Sequence, residues 1–100
     1  MNDALRLARL DRIASFLEDV VVVLKAYAEG RTVKSRLSKL QNYNLSIVAA
    51  KSDPVLLPVA SNCHEILRLL TDGDEMTNEK MTKIDDLHTE IRKMVSGDGV

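Results

Sequence analysis

The chain has 100 residues, a formal net charge of -1 and 45% hydrophobic residues. This length and composition exclude a disordered chain, and we expect residues 1–100 to fold as a single domain. The small net charge gives no overall field that would attract a polyanion. One cysteine cannot form an internal disulfide framework, and the lack of tryptophan argues against a nucleic-acid stacking platform.

The most apolar long stretch covers residues 10–29, and it is predicted to be the centre of the fold. Its apolar residues recur at alternating intervals of three and four, the coiled-coil spacing that keeps one seam of a helix facing a partner. Neither Gly nor Pro interrupts it, so we predict a helix over residues 3–28, about 40 Å long, capped by Asn2 or Asp3. The seam positions are Leu10, Ile13, Leu17, Val20, Leu24 and Tyr27.

The four consecutive valines at positions 20–23 are the one local argument against this helix. Valine is β-branched and stiff at χ1, so such a run would also suit a buried strand. Because the residues on both sides keep the helical period, we favour the helix.

Glycines and prolines divide the rest of the chain into three further predicted helices. The first covers residues 33–51 and follows a turn at Gly30, and the second covers residues 58–71. The third has Asp74 or Thr77 as its cap and ends near Ser96. Pro58 has no amide hydrogen for an intrahelical bond, so residues 53–57 should form a loose turn. We therefore predict an all-α fold, an up-and-down four-helix bundle with a long apolar first helix.

The second predicted helix has an asparagine within its apolar stripe and Tyr43 on its flank. Asn44 would either fix register or oligomeric state, or satisfy its hydrogen bonds at the edge of the stripe. The inward positions are Val33, Leu37, Leu40, Asn44, Ile47 and Val48.

No arrangement of residues in the sequence indicates catalysis. Cys63 and His64 are adjacent, so on a helix their side chains point about 100° apart and cannot form a nucleophile and base pair. We expect Cys63 to be an unreactive core residue. One cysteine and two histidines lack any metal-binding spacing, and all four glycines lie at helix ends, so no phosphate loop is present. We predict no enzymatic activity, no cofactor and no metal site.

Two groups of basic residues are candidates for contact with a polyanion. Arginines spaced by three form a ridge at positions 6, 9 and 12. A second group flanks the apolar stripe of the second helix on both sides, which weakens the case for a surface that follows a phosphate backbone. A nucleic-acid-associated regulator is therefore the alternative function, with this second group as its contacts: Arg31, Lys34, Arg36 and Lys39.

The leading functional prediction rests on the excess apolar surface of the first helix. Three shorter helices should not cover all of it, so we predict a non-catalytic protein–protein interaction module, a small helical subunit or adaptor. Its partner would be a second copy in a homodimer or a different chain in a hetero-complex. No stretch is apolar enough to span a membrane, and we expect an intracellular, cytoplasmic protein. The predicted interface residues are Phe16, Val20, Val22, Val23 and Tyr27.

Overall fold

The computed structural model describes the backbone of residues 3–96 and the side-chain surroundings of residues 4–95. Within this range the chain forms five α-helices joined by turns and loops, with no strand, so the prediction of an all-α bundle is confirmed. Two short helices, α2 and α3, together take the place of the predicted second helix. The elements are α1 (Asp3–Ala28), α2 (Lys34–Gln41), α3 (Asn44–Ala50), α4 (Leu57–Thr71) and α5 (Asn78–Ser96).

Helix α1 has the bounds that its sequence predicts. It ends in a Schellman motif, in which the amide of Arg31 donates to the carbonyl of Ala26 at 2.8 Å and the amide of Gly30 donates to Tyr27 at 3.1 Å. Gly30 has a φ of +71°, a conformation that favours glycine. The predicted caps at the other end, Asn2 and Asp3, have side chains outside the described residues.

The predicted second helix breaks at Asn42 and Tyr43. The amides of these two residues donate to the carbonyls of Lys39 and Leu40, three residues back, at 3.1 and 3.0 Å. Such bonds form a tighter turn than the α-helix and separate α2 from α3. The prediction of one continuous helix over residues 33–51 is therefore wrong.

This break also changes which face of the segment is buried. Tyr43 is buried, although it was expected on the flank, whereas Asn44 and Val48 are exposed, although they were expected inside. The Tyr43 ring packs edge-to-face on Phe16 of α1 with centroids 5.5 Å apart, and its hydroxyl donates to Asp19 at 2.8 Å. This packing on α1 accounts for the difference.

The starts of the last two helices agree with the sequence. Residues 51–56 form turns, and α4 begins at Leu57 with Pro58 in its first turn, where the missing amide hydrogen costs little. Helix α5 is capped by Thr77, whose hydroxyl oxygen accepts the amide hydrogen of Lys80 at 3.1 Å.

The buried side chains form one continuous cluster to which every helix contributes. Helix α4 is at the centre of the packing, against α3 on one side and most extensively against α5 on the other, while α1 packs on α2 and α3. Helices α1 and α5 touch over only a short stretch. The largest fully buried side chains are Phe16, Leu40, Ile47, Ile66, Ile84 and Ile91.

Candidate functional site

An open apolar groove runs between α1 and α5, two helices that touch over only a short stretch. It consists of two adjoining depressions of about 410 and 400 Å³, and Val21 lines both of them. We call the whole feature the α1/α5 groove. Val21 lies where the two depressions adjoin, and its side chain is 42% exposed.

The wall formed by α1 follows a second line of coiled-coil spacing, which shares Leu17 and Leu24 with the seam that faces the core. Successive intervals of three, four, three and four residues separate its members, so they follow one line along the helix. The line extends from Ala14 to Ala28, about 21 Å or four turns. Its members are Ala14, Leu17, Val21, Leu24 and Ala28.

The wall formed by α5 has the same kind of spacing, with intervals of four, three, four and three. One of its members, His88, is buried, and its Nε2 lies 3.2 Å from the carbonyl oxygen of Leu17. Because a carbonyl oxygen can only accept, Nε2 carries the hydrogen and donates it across the base of the groove. The members of this wall are Met81, Asp85, His88, Arg92 and Val95.

Four exposed charged residues border the groove in an alternating pattern. Glu18 of α1 and Arg92 of α5 line one depression, whereas Lys25 of α1 and Asp85 of α5 line the other. Opposite charges therefore face each other across the groove, and each wall also carries one acid and one base seven residues apart. The groove has no net charge from these four groups.

The chain itself buries most of the predicted interface residues. Phe16, Val20 and Val23 are fully enclosed in the core, so their assignment to a surface for a partner is corrected. Tyr27 is partly buried and packs against the core, and Val22 alone of the five is exposed. Sequence reasoning missed Val21, although its spacing of seven from Ala14 and Ala28 was a readable signal.

The basic residues of the second predicted group are exposed, but they do not form one surface. Arg31 pairs with Glu29 at 2.8 Å, and the Lys39 ammonium lies 3.9 Å from the Asp19 carboxylate. Lys34 and Arg36 are two residues apart on α2, about 200° around its axis, and so point to opposite sides.

The adjacent Cys63 and His64 do not form a reactive pair. Cys63 is buried in the core, and this burial raises the pKa of its thiol to about 12. His64 is at the surface, where its Nδ1 accepts a hydrogen bond from the Lys51 ammonium. Within residues 4–95, no three side chains of His, Cys, Asp or Glu come together in a group that could hold a metal ion.

No family model, curated protein or solved structure matches the chain. Of the helices that the structure describes, none combines the length and the apolar character needed to cross a bilayer.

Proposed function

We propose that this chain is a non-catalytic interaction module that binds helical protein surface in its α1/α5 groove. The observation that carries the proposal is the apolar line of α1 around Val21, in which Ala14, Val21 and Ala28 are exposed while Leu17 lies buried at the base of the groove. The apolar line of α1, together with Met81 and Val95 of α5, leaves depressions that can accept the side chains of another helix. A length of four turns suits an amphipathic segment of about 14 residues.

The balance of polar and apolar groups also supports protein as the partner. The aliphatic side chains of α1, with Met81 and Val95 of α5, give the groove its apolar surface, whereas Glu18, Lys25, Asp85 and Arg92 lie around them. A protein interface has this arrangement, with an apolar core surrounded by a polar rim. The four charges cancel, which argues against a polyanion at this site.

The alternative of a nucleic-acid-associated regulator has weaker support. Lys34 and Arg36 lie on opposite sides of α2, and Arg31 and Lys39 are next to acids. Phosphate-tracking surfaces instead gather their cations on one face. We also assign the module to the cytoplasm, because a lone buried thiol suits a reducing compartment.

The proposal can be tested by photo-crosslinking in the cells that produce the protein. A benzophenone amino acid replaces Val21 in one variant and Val48 in the other. Val48 is a matched control because it is an exposed valine on α3, away from the groove, with a side chain 48% exposed. We expect protein adducts at position 21 and few at position 48. Equal yields at the two positions, or no adduct at position 21, would contradict the proposal.

A further inference from the structure

We infer, building on the proposed function, that the partner in the α1/α5 groove is the same groove of a second copy of this chain. The charges at the border carry this inference. Each wall has an acid and a base seven residues apart, and the signs on the two walls alternate. Glu18 and Arg92 mark one end of the groove, and Lys25 and Asp85 mark the other.

This pattern matches its own image. In one face-to-face dimer, the twofold axis lies between the two grooves and is perpendicular to the helices. Glu18 then faces the partner's Lys25, and Asp85 faces the partner's Arg92. In a second possible dimer, the twofold axis is parallel to the helices, and α1 of each copy faces α5 of the other copy. Each acid then again faces a base. Either closed dimer brings four pairs of opposite charges together around an apolar centre.

The directions of the helices support the same partner. Residue numbers rise along α1 as they fall along α5, since Glu18 is beside Arg92 and Lys25 is beside Asp85. The two helices of one groove are therefore antiparallel. Two such grooves, face to face, form four helices in which every neighbour is antiparallel, the arrangement of a four-helix bundle. Val21 then lies at the centre of an enclosed apolar layer.

Sedimentation equilibrium of the purified chain between about 1 and 300 µM tests this inference. We expect wild type to reach twice the chain mass within that range, since a micromolar dimer is mostly assembled at the upper end. Val21→Asp should remain a monomer, because burial of an unpaired carboxylate is unfavourable. Val48→Asp introduces the same charge on α3 and should dimerise like wild type. Circular dichroism of each variant is the check that it is folded.

Charge reversal at the border gives a second measurement that leaves the apolar surface intact. Glu18→Lys places two cations in contact at two symmetric positions of the dimer, so we expect the dissociation constant to rise by about fivefold or more. Glu90→Lys is the control, since Glu90 is exposed on α5 and does not line the groove. Equal effects of the two reversals would overturn the inference, as would a folded Val21→Asp dimer.

The failure of this inference differs from the failure of the proposed function. Wild type that stays monomeric at 300 µM, with adducts to a different protein at position 21, would overturn self-docking alone. Monomeric wild type with no adduct at position 21 would overturn both.

Discussion

Arg6 of α1 and Asp53 of the turn before α4 form a bidentate ion pair across 47 residues of sequence. The guanidinium donates from Nε to Oδ2 at 2.8 Å and from Nη2 to Oδ1 at 3.0 Å. Asp53 is only 6% exposed, and its Oδ1 also accepts the amide hydrogen of Val55 at 3.0 Å. One carboxylate therefore shapes the turn and holds it against the first helix. Arg6, the first arginine of the ridge at positions 6, 9 and 12, therefore pairs with an acid of its own chain.

The ion pair makes stability depend on pH at the acid end. The hydrogen bonds from Arg6 lower the pKa of Asp53 below its ordinary value of 3.8. A carboxyl with a lowered pKa stabilises the fold above its unfolded pKa and loses that contribution as the pH falls through the folded value. We expect Asp53→Asn to unfold at lower urea than wild type at pH 7. The gap between the two midpoints should shrink below about pH 4.

Asp11 provides the control for this experiment, because it is an exposed acid on α1, the helix that contains Arg6. Asp11→Asn should change the free energy of unfolding by no more than about 0.5 kcal/mol at any of these pH values. A gap between Asp53→Asn and wild type that stayed constant from pH 7 to pH 2 would argue against the ion pair.

The hydrogen bond from Tyr43 to Asp19 makes stability depend on pH at the alkaline end, where stability should fall as the pH rises. Burial, and then the hydrogen bond and charge of Asp19, raise the pKa of Tyr43 above 10.0. A raised pKa means that the fold favours the protonated phenol, whose contribution is complete below the unfolded pKa and is lost as the pH rises through the folded value. Tyr43→Phe should cost about 0.5–1.5 kcal/mol at pH 7, as the loss of one hydrogen bond does.

The difference in the free energy of unfolding between wild type and Tyr43→Phe should therefore become smaller above about pH 10. At that pH the tyrosinate beside Asp19 destabilises wild type alone. Tyr27→Phe serves as the control for general tyrosine ionisation. Denaturant melts in which the Tyr43→Phe difference widened with pH would show that the hydroxyl is not bonded to Asp19.

The two classes of apolar residue on α1 should differ sharply in their effect on stability. Phe16 is fully buried against Tyr43, so Phe16→Ala should cost about 3–5 kcal/mol through lost contacts and a cavity. Val22 is 37% exposed, and Val22→Ala should cost less than about 1 kcal/mol because it removes little buried surface. Urea melts of the two variants at pH 7 measure this. Comparable losses would mean that the faces of α1 are assigned wrongly.

The thiol of Cys63 should be inert in the folded protein. Its pKa of about 12 leaves almost no thiolate at neutral pH, and the side chain is enclosed in the core. We expect a chromogenic disulfide reagent to label native protein slowly and protein in 6 M guanidinium at once. Stoichiometric labelling of the native protein within seconds would contradict the packing of α4.

The long first helix could be predicted from sequence because its signals are local. Its period is unbroken, and Gly30 supplies the left-handed residue that ends it. The break at Asn42 has no comparable signal, since neither Gly nor Pro is near it. It arises from Tyr43 packing on Phe16 and bonding Asp19, contacts between residues more than twenty positions apart that no local pattern contains.

The groove could be predicted only in part, for a related reason. Helix α1 contains two coiled-coil seams that share Leu17 and Leu24, one passing through Val20 and the other through Val21. Both have the right spacing, so the sequence shows that apolar surface is in excess without showing which seam the chain covers. The position of α5 decides this, because it leaves Ala14, Val21 and Ala28 of the second seam exposed.

The most direct test of a self-covering groove is the rate at which a thiol placed in it reacts as the protein concentration rises. Val21→Cys and Val48→Cys are suitable, since Cys63 is too deeply buried to interfere. If a second copy covers the groove, labelling at position 21 should slow markedly between about 1 and 300 µM, while labelling at position 48 stays constant. A rate at position 21 that does not change with concentration would contradict the account.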